Sequence, residues 1–175
     1  MSDTSTDTAP GTQAGAQNGA QPGAQRLPII VLAQYLKDLS FENPNAPGAI
    51  REGAKPPQGQ VQVDVRAKPM GESTFEVVLS LRAEAKHGEQ LAYLLEMEYG
   101  GVFRTGAIPP EAVEPLIMIE GPRLLFPFAR NIIMSASRDG GFAPLLINPI
   151  DFAALYREHR QRAMQAQAAG AEATA

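Results

Sequence analysis

Apolar and polar side chains alternate along four stretches in the first part of the chain, and this period of two is typical of β-strands. The four stretches span residues 27–42, 60–67, 74–86 and 90–99. Strands that are apolar on one face and polar on the other predict an antiparallel sheet with one face covered. Turn residues separate the strands, and the His87-Gly88 pair between the third and fourth stretches indicates a hairpin.

The first and fourth stretches carry the most informative polar positions. In the first stretch, the alternation predicts one face with Tyr35, Leu39 and Phe41 and an opposite face with Gln34, Asp38, Ser40 and Glu42. In the fourth stretch, Glu96 and Glu98 share one face. The Gly100-Gly101 pair that follows predicts a backbone turn or bulge, because no helix start with Lys or Ser/Thr comes after it.

The apolar period changes to that of a helix after the fourth strand. One helix is predicted to begin at residues 108–111 and to end at Gly121-Pro122, since proline is tolerated only in the first turn. A second helix is predicted over 123–138, and a third over 149–165 with Asn148 as its N-cap. The second predicted helix has one apolar stripe along a single face, formed by Leu125, Phe128, Ile132 and Ala136. Strands followed by helices predict an α+β domain, a four-stranded antiparallel sheet with the helices packed on one face.

Composition divides the chain into three parts. Residues 1–25 are rich in Gly, Ala, Gln, Ser and Thr, so we predict a disordered tail; residues 26–165 form the folded domain, and residues 166–175 a flexible C-terminal tail. The first 25 residues lack the basic and apolar regions of a signal peptide. No stretch approaches the roughly 20 apolar residues of a membrane span. We therefore expect a cytoplasmic protein without direct membrane insertion.

The chemistry-bearing residues indicate binding rather than catalysis. The net charge of −4 does not favour a nucleic-acid partner. The absence of cysteine excludes disulfides and thiol chemistry. Phosphate loops, HExxH and GxSxG motifs are missing. A Ser–His–Asp triad is not excluded, and only His87 or His159 could serve as its base. Both histidines are better explained by structure, His87 as a turn residue and His159 as a residue on a helix face. We expect no enzyme activity, no cofactor and no metal.

Residues 116–134 hold more apolar side chains than one small sheet can cover. A helix that is apolar nearly all round needs burial on several sides. Core packing and a subunit interface account for most of these side chains. The remainder predicts an exposed surface that binds something apolar.

Five runs of residues resemble the SecB export chaperones, in order and over about residues 29–157. They are YLKDLSFENPNAP, FEVVLSLRAEA, LAYLLEMEYGGVF, LLFPFAR and GGFAPLLINPIDFAALY. The resemblance implies a homotetramer, built as a dimer of dimers, without catalytic activity. It also implies a cytosolic chaperone that keeps unfolded secretory precursors competent for translocation and delivers them to the motor ATPase SecA.

The same resemblance assigns two sets of site residues. The acidic surface that binds SecA maps to the first and fourth strands, at Asp38, Glu42, Leu94 and Glu96. The groove for unfolded clients maps to Val61, Val63, Val65, Tyr93, Met97, Phe126 and Phe128. The C-terminal tail has only Glu172 as a charge, which puts a second contact of that tail with SecA in doubt.

Two other functions fit the same pattern. One is a SecB-like chaperone dedicated to a single antitoxin client, against which the acidic SecA-type surface argues. The other is a small-ligand-binding α+β domain or hydrolase, which would need a convergent polar pocket that the sequence does not indicate.

Overall fold

The computed structural model describes residues 28–50 and 56–172. The predicted disordered tail, residues 1–25, lies outside them. Four strands are followed by two helices: β1 (Ile29–Glu42), β2 (Gln58–Gly71), β3 (Thr74–His87), β4 (Gln90–Thr105), α1 (Pro110–Asp139) and α2 (Phe152–Glu172). A short 3-10 turn, Gly48–Ile50, lies between β1 and β2. No helix in the described part of the chain is long and apolar enough to cross a membrane.

The four strands form one antiparallel sheet in the order β1-β4-β3-β2, which confirms the predicted α+β class. Helix α1 covers one face, and we call the opposite surface the outer face. The His87-Gly88 hairpin is confirmed, since Gly88 has φ of +62° and β4 begins two residues later. The two edges of the sheet are therefore β1 and β2.

The core lies between the sheet and α1. The innermost side chains come from alternate positions of β3 and β4 and from one stripe of α1: Val77, Leu79, Leu81, Leu95, Met97, Phe103, Ile117, Leu125 and Ile133. These positions follow the alternation of β3 and β4 in the sequence. Burial of each such side chain contributes about 1.5–3 kcal/mol to folding before entropy is counted.

Helix α1 is one continuous helix of 30 residues, so the predicted break at Gly121-Pro122 is wrong. Both residues are buried against the sheet. A Cβ on Gly121 would lie 2.9 Å from Val77 Cγ2, so the glycine lets the helix approach β3 closely. An internal proline costs a helix about 3 kcal/mol. Burial of the helix face outweighs this local cost.

The buried stripe of α1 also differs from the predicted one. Leu125, Ala129, Ile133 and Ser137 face the sheet, whereas Phe128 is 51% exposed and Ile132 only half-buried. The true stripe follows i, i+4 spacing from Leu125, and it accepts Ala129 and Ser137 because their small side chains allow close packing. Ser137 Oγ is bonded there, accepting from the Leu145 N–H at 2.9 Å.

Strand β1 changes phase, so the predicted faces of its first half are wrong. The register with β4 shifts between Val31 and Ala33 and again between Leu36 and Asp38. A bulge puts one extra residue into a strand and moves every following side chain to the other face. Tyr35 therefore lies on the outer face with Asp38, while Gln34 lies on the helix face opposite Gly101.

Gly100 and Gly101 lie inside β4 in regular register, not in a turn or bulge as predicted. A Cβ on Gly100 would lie 2.7 Å from Tyr35 Cε2, and one on Gly101 would lie 2.7 Å from Leu125 Cδ2. The two glycines thus make room for a tyrosine ring on the outer face and a leucine on the helix face. The apolar alternation of β4 does not predict the phase change in β1.

Helix α2 begins and ends later than predicted. It starts at Phe152, and Asp151 caps it by accepting the Ala154 N–H at 2.9 Å, so Asn148 is not the cap. It continues to Glu172, into the segment predicted as a flexible tail. Its side chains from Arg160 to Ala168 are exposed. Residues 160–168 of α2 therefore form a solvent-exposed stretch of helix.

Candidate functional site

The outer face brings the four residues of the predicted SecA surface together. Asp38 pairs with Glu98 in the sheet register, Ser40 with Glu96, and Glu42 with Leu94. Strands β1 and β4 are neighbours, so all four predicted side chains lie on the same side of adjacent strands. The bulge before Asp38 is what turns Asp38 and Glu42 outward and Leu39 and Phe41 toward α1.

The charges on this face are not uniformly negative. The glutamates of β3 and β4 have cationic partners: Lys37 lies 3.0 Å from Glu76, Lys86 lies 2.6 Å from Glu84, and the other ion pairs are Arg66–Glu98 and Arg82–Glu96. Among the described residues, no cation is within salt-bridge distance of Asp38 or Glu42. The uncompensated negative charge therefore lies on β1.

Tyr35 connects β1 to β3 across the surface of β4. Its hydroxyl donates to Glu76 Oε1 at 2.5 Å, and Lys37 Nζ bonds the same oxygen. The bond to Glu76 raises the pKa of Tyr35 to about 12. The same bond, with the Lys37 ammonium, lowers the pKa of the Glu76 carboxyl. This contact cannot be predicted from the sequence, because it depends on the bulge and on the space above Gly100.

A concave region of about 500 Å³ lies on the outer face. Its lining includes Asp38, Glu96 and Glu98 from the acidic strands and Arg82 from β3. Helix α2 adds His159 and Arg162, and His159 Nε2 is 3.8 Å from Asp64 Oδ1. Basic side chains of the chain itself therefore surround the acidic ones. Among the described residues, no cluster of three or more His, Cys, Asp or Glu side chains could hold a metal ion.

The seven predicted client residues fall into two groups. Val65, Tyr93, Met97 and Phe126 are 2–8% exposed and belong to the core. Tyr93 stacks on Phe41 with ring centroids 5.4 Å apart, which explains its burial. The accessible members are Val61, Val63 and Phe128, of which Phe128 is 51% exposed. The structure does not bring all seven to one open surface.

Exposed apolar side chains concentrate on β1, which the site prediction did not include. Those more than a third exposed are Ile30, Val31, Leu32, Leu36 and Leu39. The unbroken run IIVL at the start of β1 was the available signal, since a strand that alternates poorly exposes apolar groups on both faces. Two further exposed apolar side chains are Ile50, between β1 and β2, and Leu146, in the segment after α1.

Comparison with known sequences defines the class of protein. The family model described as preprotein translocase subunit SecB matches residues 22–163. Protein-export protein SecB of Bradyrhizobium diazoefficiens is 52% identical over 136 residues, covering 78% of this chain and 84% of that protein. The Rhodopseudomonas palustris (strain TIE-1) protein of the same name is 53% identical over 135 residues, covering 77% and 86%. The protein is an export chaperone.

More particularly, this chain belongs to the SecB family. A solved structure supports the fold: a SecB-like chaperone of Mycobacterium tuberculosis, in complex with a peptide from an antitoxin, has a TM-score of 0.52. It is 14% identical and covers 70% of this chain and 90% of that chain. The likeness of the two chains is one of architecture.

Proposed function

We propose that this chain holds unfolded secretory precursors as a homotetramer and delivers them to SecA through the outer face of its sheet. The observation that carries the proposal is the position of Asp38 and Glu42. Both are turned outward by the bulge in β1, where Glu42 pairs with Leu94 and Ser40, which lies between them, pairs with Glu96. Such a surface can steer a basic partner and set its register.

The exposed apolar surface of β1 and α1 supports the proposed assembly. Strand β1 is a long, exposed edge with apolar side chains on both faces, and such an edge pairs readily with another strand. A second β1 would extend the sheet and cover Leu32 and Leu36. The exposed Leu124 on α1 would then be covered where two such dimers meet. This arrangement gives the dimer of dimers.

Client binding is assigned to the accessible apolar positions. Val61 and Val63 on β2 and Phe128 on α1 contact an unfolded chain directly, while the four buried members of the predicted set belong to the core. Each well-buried client side chain gains about 1.5–3 kcal/mol, less the cost of ordering. Four copies of weak sites raise the avidity for one long client without demanding a particular sequence.

Charge reversal at Asp38 and Glu42 to lysine tests the proposal. The tetramer and its ability to delay refolding of a precursor should remain, because exposed charges contribute only about 0–1 kcal/mol to stability. Calorimetry should show that SecA binding falls, and that binding by the unaltered chain weakens as salt rises.

A matched control changes the same charge elsewhere, with Glu72→Lys in the β2–β3 turn and Asp139→Lys at the end of α1. Both side chains are exposed and neither is on the outer face. Equal loss of SecA binding in control and test variants would indicate a general charge effect and contradict the assignment. Delayed refolding of a single polypeptide only, with no effect on unrelated precursors, would favour the dedicated antitoxin chaperone instead.

A further inference from the structure

Arg82 occupies the centre of the charge pattern on the outer face. Its guanidinium pairs with Glu96 of the neighbouring strand, and its second nitrogen lies 3.6 Å from Glu84 Oε2. Glu96 is one of the residues assigned to SecA. One carboxylate of the proposed docking surface is therefore already engaged by a cation of the same chain.

We propose that Arg82 is a specificity-determining residue of the SecA surface, which holds Glu96 in an internal ion pair that a basic side chain of SecA must displace. This inference rests on the proposed SecA interaction. Displacement is possible because both partners reach solvent, with 43% of the Arg82 side chain and 45% of the Glu96 side chain exposed. Exposed ion pairs contribute little to folding, so exchanging one cation for another costs the chaperone little stability.

The position of Arg82 explains why it weakens docking. Arg82, Asp38 and Glu96 line the same concave region, so an incoming basic side chain that approaches the carboxylates also approaches the guanidinium. Like charges at short range repel, and a resident cation lowers the negative potential that attracts a basic partner. Asp38, which has no cationic partner in the described part of the chain, offers an uncontested carboxylate nearby. Arg82 thus favours partners that can engage both carboxylates over any loosely basic chain.

The substitution Arg82→Gln tests this directly, because the proposal predicts that the variant binds SecA more tightly, not more weakly. The affinity for purified SecA, measured by calorimetry at low salt, should rise about two- to fivefold, the range that an exposed charge pair supports. Arg82→Lys keeps the charge and should remain near the original affinity. The matched control is Arg138→Gln, which breaks an exposed pair with Asp139 at the end of α1 and should change nothing. Thermal unfolding verifies that each variant is folded.

A double-mutant comparison locates the effect at Glu96. Glu96→Gln alone should weaken SecA binding, and adding Arg82→Gln to it should tighten binding by less than Arg82→Gln does alone, since the contested carboxylate is gone and only the repulsion by the guanidinium is relieved. If Glu96→Gln and Asp38→Asn weaken binding but Arg82→Gln does not tighten it, the competition is overturned while the docking surface stands. If neither carboxylate variant weakens binding, the docking surface and the competition are overturned together.

Discussion

The two edge strands of the sheet, β1 and β2, have the same length and opposite character. Strand β1 changes phase twice and exposes five large apolar side chains, from Ile30 to Leu39. Strand β2 keeps regular register along most of its length and exposes Gln62, Asp64 and Arg66. Natural sheets protect free edges with charge and polarity; β2 has such side chains along the strand, while β1 has charged side chains only from Lys37 onward.

In the proposed function, the two edges have different partners. An apolar edge that must not stay in water is suited to a permanent partner, such as a second copy of the same strand. A polar edge beside half-buried Val61 and Val63 can remain open until a client arrives. The bulge before Asp38 adds a second role to β1, because the same strand buries Phe41 against Tyr93 and turns Asp38 outward.

The largest expected effect is on assembly, from Leu36→Lys on β1. Leu36 is 45% exposed on the single chain. In a symmetric pair of β1 strands it would be buried twice, at about 0.7–1.4 kcal/mol for each side chain because more than half of it is already covered, and a buried lysine would add a desolvation cost. Light scattering should show the mass falling from four times 18.7 kDa to that of dimers or monomers.

The control for that experiment is Gln60→Lys on the other edge. Gln60 is exposed and pairs with Glu84 in the register, so a lysine there is well tolerated. It should leave the tetramer intact. A Leu36→Lys variant that keeps the full mass would show that β1 is not an assembly edge. The exposed apolar side chains of β1 would then not distinguish its partner from that of β2.

The sequence predicted the sheet more accurately than the helices, for physical reasons. In β3 and β4, both neighbours are strands and one face is covered, so alternation reports burial directly at positions such as Leu79 and Leu95. In α1, local rules predicted a break at Gly121-Pro122, but packing on Val77 decided the outcome. Local propensity is a weak guide where a close tertiary contact needs a glycine.

The candidate site could be predicted only in part. Parity along β4 and the second half of β1 correctly put Asp38, Glu42 and Glu96 on one surface. The ion pair of Arg82 with Glu96 and the bond of Tyr35 to Glu76 depend on strand order and on a bulge, neither of which a single sequence specifies. The burial of Tyr93 depends on Phe41 and Phe142, which are distant in the chain.

A smaller effect is expected from Gly100→Ala, which tests how β1 is held in its shifted phase. The new Cβ would lie 2.7 Å from the Tyr35 ring, so the ring or the strand must move, at a cost of about 1–3 kcal/mol. Gly71→Ala at the end of β2 is the matched control, since nothing lies within 4 Å of its new Cβ. Urea unfolding at equal protein concentration should show destabilisation for Gly100→Ala alone, although alanine is normally tolerated better than glycine in a strand. Equal stability of the two variants would mean that the Tyr35 ring does not fix β1.

The smallest effect is expected from Tyr35→Phe, which keeps the ring above Gly100 and removes only the bond to Glu76. Loss of one partly buried hydrogen bond should cost about 0.5–1.5 kcal/mol in the free energy of unfolding.

The pH dependence of stability separates the contribution of this hydrogen bond from that of ring packing. The bond to Glu76 raises the pKa of Tyr35 from 10.0 to about 12 in the folded chain, so the protonated phenol is favoured by folding. The resulting stability is fully present below pH 10 and is lost as the pH rises towards 12. Unfolding measured across that range should therefore show a steeper loss of stability for the unaltered chain than for Tyr35→Phe. Tyr156→Phe on α2 should keep the steep loss. Parallel curves for Tyr35→Phe and the unaltered chain would show that the Tyr35 hydroxyl does not tie β1 to β3, and that ring packing alone holds the shifted edge.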